Sequence, residues 1–528
     1  AEIPLSFSQQ RLWFLHRLHP ESSTYSIPIA VRLKGKLDVA SLAAALRDVV
    51  LRHECLRTVY RETSGVPRQE ILPTAEVVLT TSVVTETDIP SALADVVERS
   101  FDLAHDLPLR AHMLALACNE HVLLLVLHHI AGDGWSIAPL MRDLATAYRD
   151  RSSGLAPQWP PLPVQYADFS LLQQAALGSE DNPDSPISLQ LAYWKAALEN
   201  LPEQLELPTD RRRPIVASHH GDRVPFEIPA KLHADLERLA QSGQATLYMV
   251  LQAGLAALLT RLGAGTDIPI GSPIAGRGDA VLDRLVGFFV NTLVLRTDTS
   301  GNPSFVELIG RVRATNLAAY EHQDLPFERL VEALNPTRSM AHHPLFQVML
   351  SLQNDRNPDF ALPGLTSSRV PLALRTAKFD LGFDLVEQRS HEGTPAGISG
   401  DLEYATELFD RETVDGIGQR LVRLLEAAVA RPEVPIGQLD ILSESERETV
   451  LRAWNEKALA SPSEALPALF SAQVTRTPQA MAVICGEEQL SYAALAARAN
   501  CLAQHLMRLG VGPEVVVGLA LERSIDMV

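Results

Sequence analysis

The sequence predicts an α/β protein of more than one domain, on three observations. Apolar runs of strand length occur, most clearly Leu123-Leu124-Leu125-Val126-Leu127, and other segments place apolar residues at helical spacing behind cap residues. The third is size, since 528 residues exceed what one hydrophobic core usually serves. An apolar share of 46% with 21% charged residues is ordinary for a water-soluble chain, and no stretch of 18 uninterrupted apolar residues offers a membrane span. A net charge of −18 argues against nonspecific binding to nucleic acid or anionic lipid, both of which require a basic surface. Cys55, Cys118, Cys485 and Cys501 form neither a C-x-x-C pair nor a dense framework, which fits reduced thiols and a cytoplasmic location. No secretory leader follows Ala1 and no helix-stop signal precedes Val528, so the chain is expected to be cut from something longer.

The apolar run leads directly into His128-His129-Ile130-Ala131-Gly132-Asp133-Gly134-Trp135-Ser136, a strand end followed by a glycine-flanked aspartate. Neighbouring side chains on an extended segment point to opposite faces, so one cavity receives both histidines only if the strand breaks between them. His129 is therefore expected to be the working group and His128 a buried one. The bland alternative is two core histidines, one per face, each satisfied by hydrogen bonds. The pairs His219-His220 and His342-His343 are internal controls, because neither follows an apolar strand or precedes Asp-Gly. Metal coordination is weaker still, since neighbouring strand residues diverge and the cysteines lie far away.

Elsewhere the chain alternates helix and strand signals. Ser6-Phe7-Ser8-Gln9-Gln10-Arg11-Leu12-Trp13 opens as an amphipathic helix with a serine as its N-cap. Leu42, Ala45, Leu46, Val49 and Val50 sit at helical spacing behind Ser41, and Arg52-His53-Glu54 follows, its charges expected in structural ion pairs. Pro139 to Tyr148 reads as a helix and Trp159-Pro160-Pro161-Leu162-Pro163 as a loop. A long helix behind Thr246 stops near Gly263, and Gly276-Arg277-Gly278 suits a loop that approaches another segment closely.

His128-His129-x-x-x-Asp133-Gly134 resembles the HHxxxDG signature of nonribosomal peptide synthetase condensation domains, which is shared with chloramphenicol acetyltransferase and related acyltransferases. Further segments resemble the other condensation core motifs in order: Ser6 to Leu15, Arg52-His53-Glu54-Cys55-Leu56-Arg57-Thr58, Gln165 to Phe169, Gly271 to Arg277 with Leu285 to Thr292, His322 to Glu328, and Pro344 to Met349. Gly400 to Tyr404 with Leu408-Phe409-Asp410 resembles the family's latch between lobes, and Leu490-Ser491-Tyr492-Ala493-Ala494-Leu495 the first adenylation motif.

The resemblance implies two chloramphenicol acetyltransferase-like α/β lobes in a V-shaped pseudo-dimer with a central tunnel. Residues 1–180 and 181–440 would be the lobes, 441–465 a linker and 466–528 the truncated start of an adenylation domain. The implied reaction is attack of an acceptor aminoacyl amine on a donor peptidyl thioester, both held on phosphopantetheine arms of separate carrier domains, with no cofactor or metal bound permanently. His129, with His128, Asp133, Gly134 and Ser136, would form the catalytic turn, Gly134 and Ser136 facing the tetrahedral intermediate. Arg277, Trp135 and Asn291 would support it, Arg277 by pairing with Asp133. A competing reading has Asp133 orient His129 as in a serine-protease triad. Rival functions are an epimerisation domain or a silent recruitment platform of the same fold; a heterocyclisation domain would carry paired aspartates instead.

Overall fold

A computed structural model describes residues 3–337, 339–354, 360, 362–372, 375–455 and 464–528. The chain separates into two units, one ending at Leu442 and one running from Ser443 to Val528. Residues 456–463 of the expected linker lie outside the described residues.

The first unit holds two large sheets, each with its own core, and a small three-stranded sheet in the order Ile3–Pro4, Val66–Ile71, Thr58–Thr63. The N-terminal sheet has five strands in the order Leu365–Arg369, Ser26–Gly35, Glu120–His128, Leu109–Ala117, Leu79–Val83. Its centre is the apolar run, with Val122 to Leu127 all fully buried, as a strand covered on both faces must be. Helices Val39–Arg52 and Ile137–Ser152 contribute Leu42, Val49, Leu140 and Leu144 to the same core. The first of these starts earlier than the serine suggests. Asp38 is the cap, accepting from Ser41 N–H at 3.1 Å, and Ser41 sits inside the first turn with its hydroxyl on the other carboxylate oxygen at 2.8 Å.

The second sheet has six strands in the order Asn291–Asp298, Asp267–Ile274, Val348–Asn354, Leu381–Arg389, Pro395–Ala405, Gly221–Ile228. Helices Leu247–Arg261, capped by Thr246, and Arg411–Ala430 supply much of its core. The lobes interlock. Leu285, Val286, Phe288 and Phe289 belong to the N-terminal core although they follow the second sheet's Asp267–Ile274 strand. Helix Pro186–Ala197 packs its Ile187, Leu191 and Trp194 with Leu293, Leu295 and Phe346 of the second lobe.

The expected crossing segment is corrected. Gly400 to Tyr404 lies inside Pro395–Ala405, paired on both sides within the second sheet. The strand that crosses is Leu365–Arg369, which joins the N-terminal sheet through Leu365↔Gly35 to Arg369↔Val31. Period-two alternation identifies a strand and its faces but carries no information about its partner.

In the second unit, a two-stranded sheet, Met481–Cys485 with Glu488–Ser491, accompanies helices Leu466–Arg476 and Tyr492–Arg508. Among the described residues there, only Leu495 and Ile525 are buried. Among the described residues no single helix is long and apolar enough to cross a membrane.

Candidate active site

The strand Glu120–His128 ends at the first histidine, and a 3-10 turn His129–Ala131 begins at the second. The strand thus breaks between the two histidines, and their side chains still part, His128 buried and His129 partly accessible. His128 N–H donates to the Pro108 carbonyl and His129 N–H to the Tyr25 carbonyl, each at 2.8 Å, so flanking segments on both sides hold the turn. The His128 Nδ1 accepts from Ile130 N–H at 3.1 Å, and the buried ring packs edge-on against Phe101. Burial, reinforced by the charges of His16, Arg110 and Lys378, pushes its pKa down to about 3. It is a neutral structural imidazole.

His129 is placed differently. The residue keeps part of its surface accessible, its ring meets Phe288 at 4.8 Å between centroids, and its Nδ1 is buried without a hydrogen bond of good geometry. Burial first, and then the Lys378 charge, push its pKa down to about 3, with the carbonyls of His129 and Gly132 opposing. At that pKa the imidazole is unprotonated near neutral pH but a weak base, which favours a positioning role over proton abstraction in the free protein.

Two further residues, one on the first helix and one, Tyr60, that the sequence did not single out, hold the turn. Gln9 and Tyr60 both bond the Ile130 carbonyl, the Gln9 amide at 3.1 Å and the Tyr60 hydroxyl at 3.3 Å. Gln9 is fully buried because it also completes a capping box with Ser6, each side chain taking the other's backbone N–H. The S-x-x-Q spacing was the available signal.

The Asp133 end of the turn is saturated. One carboxylate oxygen accepts from Ser136 N–H at 2.9 Å and lies 2.8 Å from its hydroxyl. The other accepts from Phe289 and Val290 N–H at 2.9 and 3.0 Å. Arg277 stands 3.5 Å away, with both side chains at most 5% exposed. The bridge between distant parts of the chain is present. Its guanidinium also bonds the carbonyls of Leu282 and Leu285 and stacks 4.3 Å over Phe289. Burial nevertheless leaves the Asp133 pKa raised, against the pull of Arg277, the Ser136 hydroxyl and the N–H groups of Phe289 and Val290. Every oxygen is engaged and none reaches His129, which removes the triad reading. The approach depends on Gly276: its φ is +62°, and an added Cβ would lie 1.9 Å from the Phe289 carbonyl oxygen.

Three supporting expectations change. Ser136 is fully buried and its hydroxyl is consumed, standing 2.8 Å from the Gly287 carbonyl as well as from Asp133 and accepting from Gly287 N–H at 3.1 Å and Arg277 at 3.2 Å. It is a strut and not a donor to an intermediate. Trp135 is 40% exposed and outside this network, because the turn is anchored through its neighbours Asp133 and Ser136. Asn291 supports the site indirectly: its amide donates to the carbonyls of Gln323 and Leu325 at 2.9 and 2.8 Å, and its oxygen accepts from Phe327 N–H at 3.0 Å. Gly134 is exposed and opens the second 3-10 turn, so its N–H has no partner within that turn.

The Arg-His-Glu segment is structural as expected. Arg52 and His53 share the Asp143 carboxylate at 2.7 and 2.9 Å. Away from the site, His233, Glu237 and Glu387 bring ligand-type atoms within 4.8 Å of one another. Gly397 N–H donates to the His233 Nδ1, Nε2 faces Glu387 at 3.4 Å, and Arg389 closes on both carboxylates.

Two interlocked α/β lobes around a histidine turn that burial keeps neutral define an acyltransferase-type protein. The chain belongs to the condensation-domain family of nonribosomal peptide synthetases: residues 1–451 match the Condensation domain model, and residues 470–528 match the AMP-binding enzyme model. It is 54% identical over 522 residues to a probable non-canonical nonribosomal peptide synthetase of Salinispora arenicola, covering 99% of this chain and 7% of that protein. It is 53% identical to a dimodular nonribosomal peptide synthase of Bacillus subtilis, covering 100% of this chain and 22% of that one. The chain thus spans under a quarter of these relatives. Among solved structures, the X-domain from teicoplanin biosynthesis superposes with a TM-score of 0.79 at 39% identity, over 84% of this chain and 98% of that one. The same X-domain has been solved in complex with OxyB. The first condensation domain of the CDA synthetase, at 20% identity and a TM-score of 0.67 over 84% of this chain and 99% of that one, shares the fold.

Proposed function

We propose that this chain joins a donor acyl thioester to an acceptor aminoacyl amine, with both substrates delivered on phosphopantetheine arms of separate carrier domains. One observation carries the reading: of the two neutral histidines of the turn, His129 is the one that keeps accessible surface, while the Asp133 carboxylate and the Ser136 hydroxyl are engaged with one another and with the backbone of Gly287 to Val290. The amine attacks the thioester carbonyl, the C–N bond forms, and the tetrahedral intermediate collapses with loss of the donor thiolate. The proton shed by nitrogen passes to His129 or, through it, to the departing sulfur. A free α-amino group has a pKa of about 7.7–8.0, so part of it is already neutral near pH 7. Base assistance is worth about 10²–10⁴-fold, whereas aligning two tethered reactants supplies about 7–11 kcal/mol. Positioning outweighs proton transfer. Gly134 N–H is the donor placed for the oxyanion.

The donor's last residue is read as D-configured. The support is the acidic insert Gly178-Ser179-Glu180-Asp181-Asn182-Pro183-Asp184-Ser185-Pro186 together with Ile130-Ala131-Gly132, which resemble the subtype that takes such donors. The insert is built rather than loose: Ser185 caps the helix Pro186–Ala197, and Glu180 accepts from Arg329 at 3.0 Å. A selectivity of 100-fold corresponds to about 2.8 kcal/mol.

The test supplies matched D- and L-donors on one loaded carrier with a fixed loaded acceptor carrier and follows peptide on the acceptor arm. Faster product from the L-donor removes the stereochemical reading, and absence of product from either removes the reaction. The second outcome would favour a recruitment platform, a reading supported by the likeness to an X-domain solved in complex with another protein.

A further inference from the structure

Lys378 stands three residues before the strand Leu381–Arg389, on backbone fixed from both sides. Ala377 N–H donates to the His219 carbonyl at 2.9 Å, Lys378 N–H donates to Glu403 at 3.2 Å, and Arg213 holds Asp380 at 2.9 Å. From there the side chain leaves the second lobe and reaches the first, where Nζ lies 5.3 Å from the centroid of the Tyr25 ring. The Tyr25 carbonyl is the acceptor of His129 N–H, so the ammonium stands beside the segment that carries the imidazole.

Two features separate this lysine from an ordinary surface cation. Its residue is exposed, yet protein surrounds it at depth: Glu403, Asp384 and Arg223 of the second lobe and Arg11 of the first all act on its charge, and its charge acts on both histidines. Lys378 thus combines accessible surface with charged groups of both lobes acting on its ammonium. Its charge is also unclaimed. Among the described residues no carboxylate lies within 4.0 Å of Nζ. Glu403 is paired with Arg223 at 2.6 Å, and Asp384 accepts the Ser351 hydroxyl at 2.8 Å. A partly desolvated ammonium without a counter-ion is unfavourable in the free protein, and an acceptor on a bound substrate offsets that cost.

We propose that Lys378 is a substrate-binding residue of the acyl-transfer site, its ammonium donating a hydrogen bond to a carbonyl oxygen of the acyl-carrier chain that lies against the His129 turn. The inference rests on the acyl-transfer reading above. Carbonyls of this kind come from the peptidyl group or from the pantetheine arm, and two donors distinguish them: one with an N-acetylaminoacyl group and one with a simple alkanoyl group of equal length.

The experiment titrates each loaded donor carrier against the full chain and its Lys378→Met and Lys378→Arg variants, with melting temperatures measured in parallel. Lys378→Met is expected to lose at least tenfold in kcat/KM, mainly through the donor KM, while Lys378→Arg stays within threefold and neither melting temperature moves. A loss confined to the N-acetylaminoacyl donor assigns the contact to the peptidyl carbonyl; a loss with both donors assigns it to the arm or the thioester. Lys378→Met within twofold of the wild type overturns the inference alone, as does equal damage from Lys378→Arg. A wild-type chain that makes no peptide overturns the acyl-transfer reading and this inference with it.

Discussion

The two ends of one short turn differ in how completely their polar atoms are satisfied. At the Asp133 end, both carboxylate oxygens, the Ser136 hydroxyl and the Arg277 guanidinium close on one another and on the backbone of Gly287 to Val290. At the His129 end, one ring nitrogen has no partner and part of the residue is reachable. The difference teaches where rigidity and reactivity sit. A densely bonded polar network in a low-dielectric interior fixes geometry, and the accessible ring at the other end is the group free to act on a substrate.

Breaking the saturated end is expected to have the largest effect. Asp133→Ala strands a buried guanidinium together with the donors of Ser136, Phe289 and Val290, and the expected loss of stability is about 3–5 kcal/mol. Arg277→Ala strands the carboxylate in turn. A double-mutant cycle read from urea denaturation should show a coupling of at least about 1 kcal/mol, and strict additivity would mean the 3.5 Å pair does not interact.

The reactive end is expected to show the opposite pattern. His129→Ala should lower peptide formation by about 10²–10⁴-fold, or roughly 3–5 kcal/mol in the barrier, with little change in melting temperature. His128→Ala should act mainly through stability, since it deletes a buried ring packed on Phe101 and the acceptor for Ile130 N–H. Equal activity losses at unchanged melting temperature in the two variants would erase the distinction between the histidines.

Acid sharpens the same contrast. Both imidazoles are held neutral in the folded chain, with pKa values pushed down to about 3, whereas an unfolded histidine titrates near its ordinary 6.5. Between those values the unfolded state binds more protons, so stability falls as pH is lowered from about 6.5 toward 3, the sign required when the unfolded state is the better proton acceptor. The denaturation midpoint of the chain should therefore drop on acidification, less steeply in His128→Asn. The rate should respond elsewhere: with His129 neutral throughout pH 5–8, its acid limb should follow the acceptor amine at about 7.7–8.0. A limb near 6.5 that moves in His129 variants would show that substrate binding restores an ordinary imidazole.

Much of the saturated end was legible from sequence, and the reason differs residue by residue. The apolar run, the glycine-flanked Asp133 and the divergence of the two histidines follow from local pattern. The Arg277 partner did not; it came from likeness to a family, because no local pattern states which of two loops 144 positions apart will meet. Gln9 was hidden for a related reason: the capping box was readable, but its second bond, to the Ile130 carbonyl, exists only after the first helix is seated. Lys378 looked like any solvated lysine, and the crossing strand Leu365–Arg369 carried no mark of the sheet it would join. Faces are encoded locally and partners are not.

The smallest expected effect tests the open space in front of the turn. Gly134 is exposed, its φ is not among the positive values, and an added Cβ meets no heavy atom within 4 Å, so the folded chain places no demand for glycine there. Gly134→Ala should leave the melting temperature unchanged or raise it, since alanine costs the unfolded chain about 0.4–1 kcal/mol of conformational freedom. If the position faces the reacting carbonyl, with its N–H directed at the developing oxyanion, the methyl group occupies space that the thioester needs. Peptide formation should then fall about tenfold, equivalent to about 1.4 kcal/mol, in kcat more than in KM. An alanine variant with wild-type kcat would show that the substrate passes elsewhere and would move the oxyanion donor away from Gly134, leaving His129 and the Asp133 network as they stand.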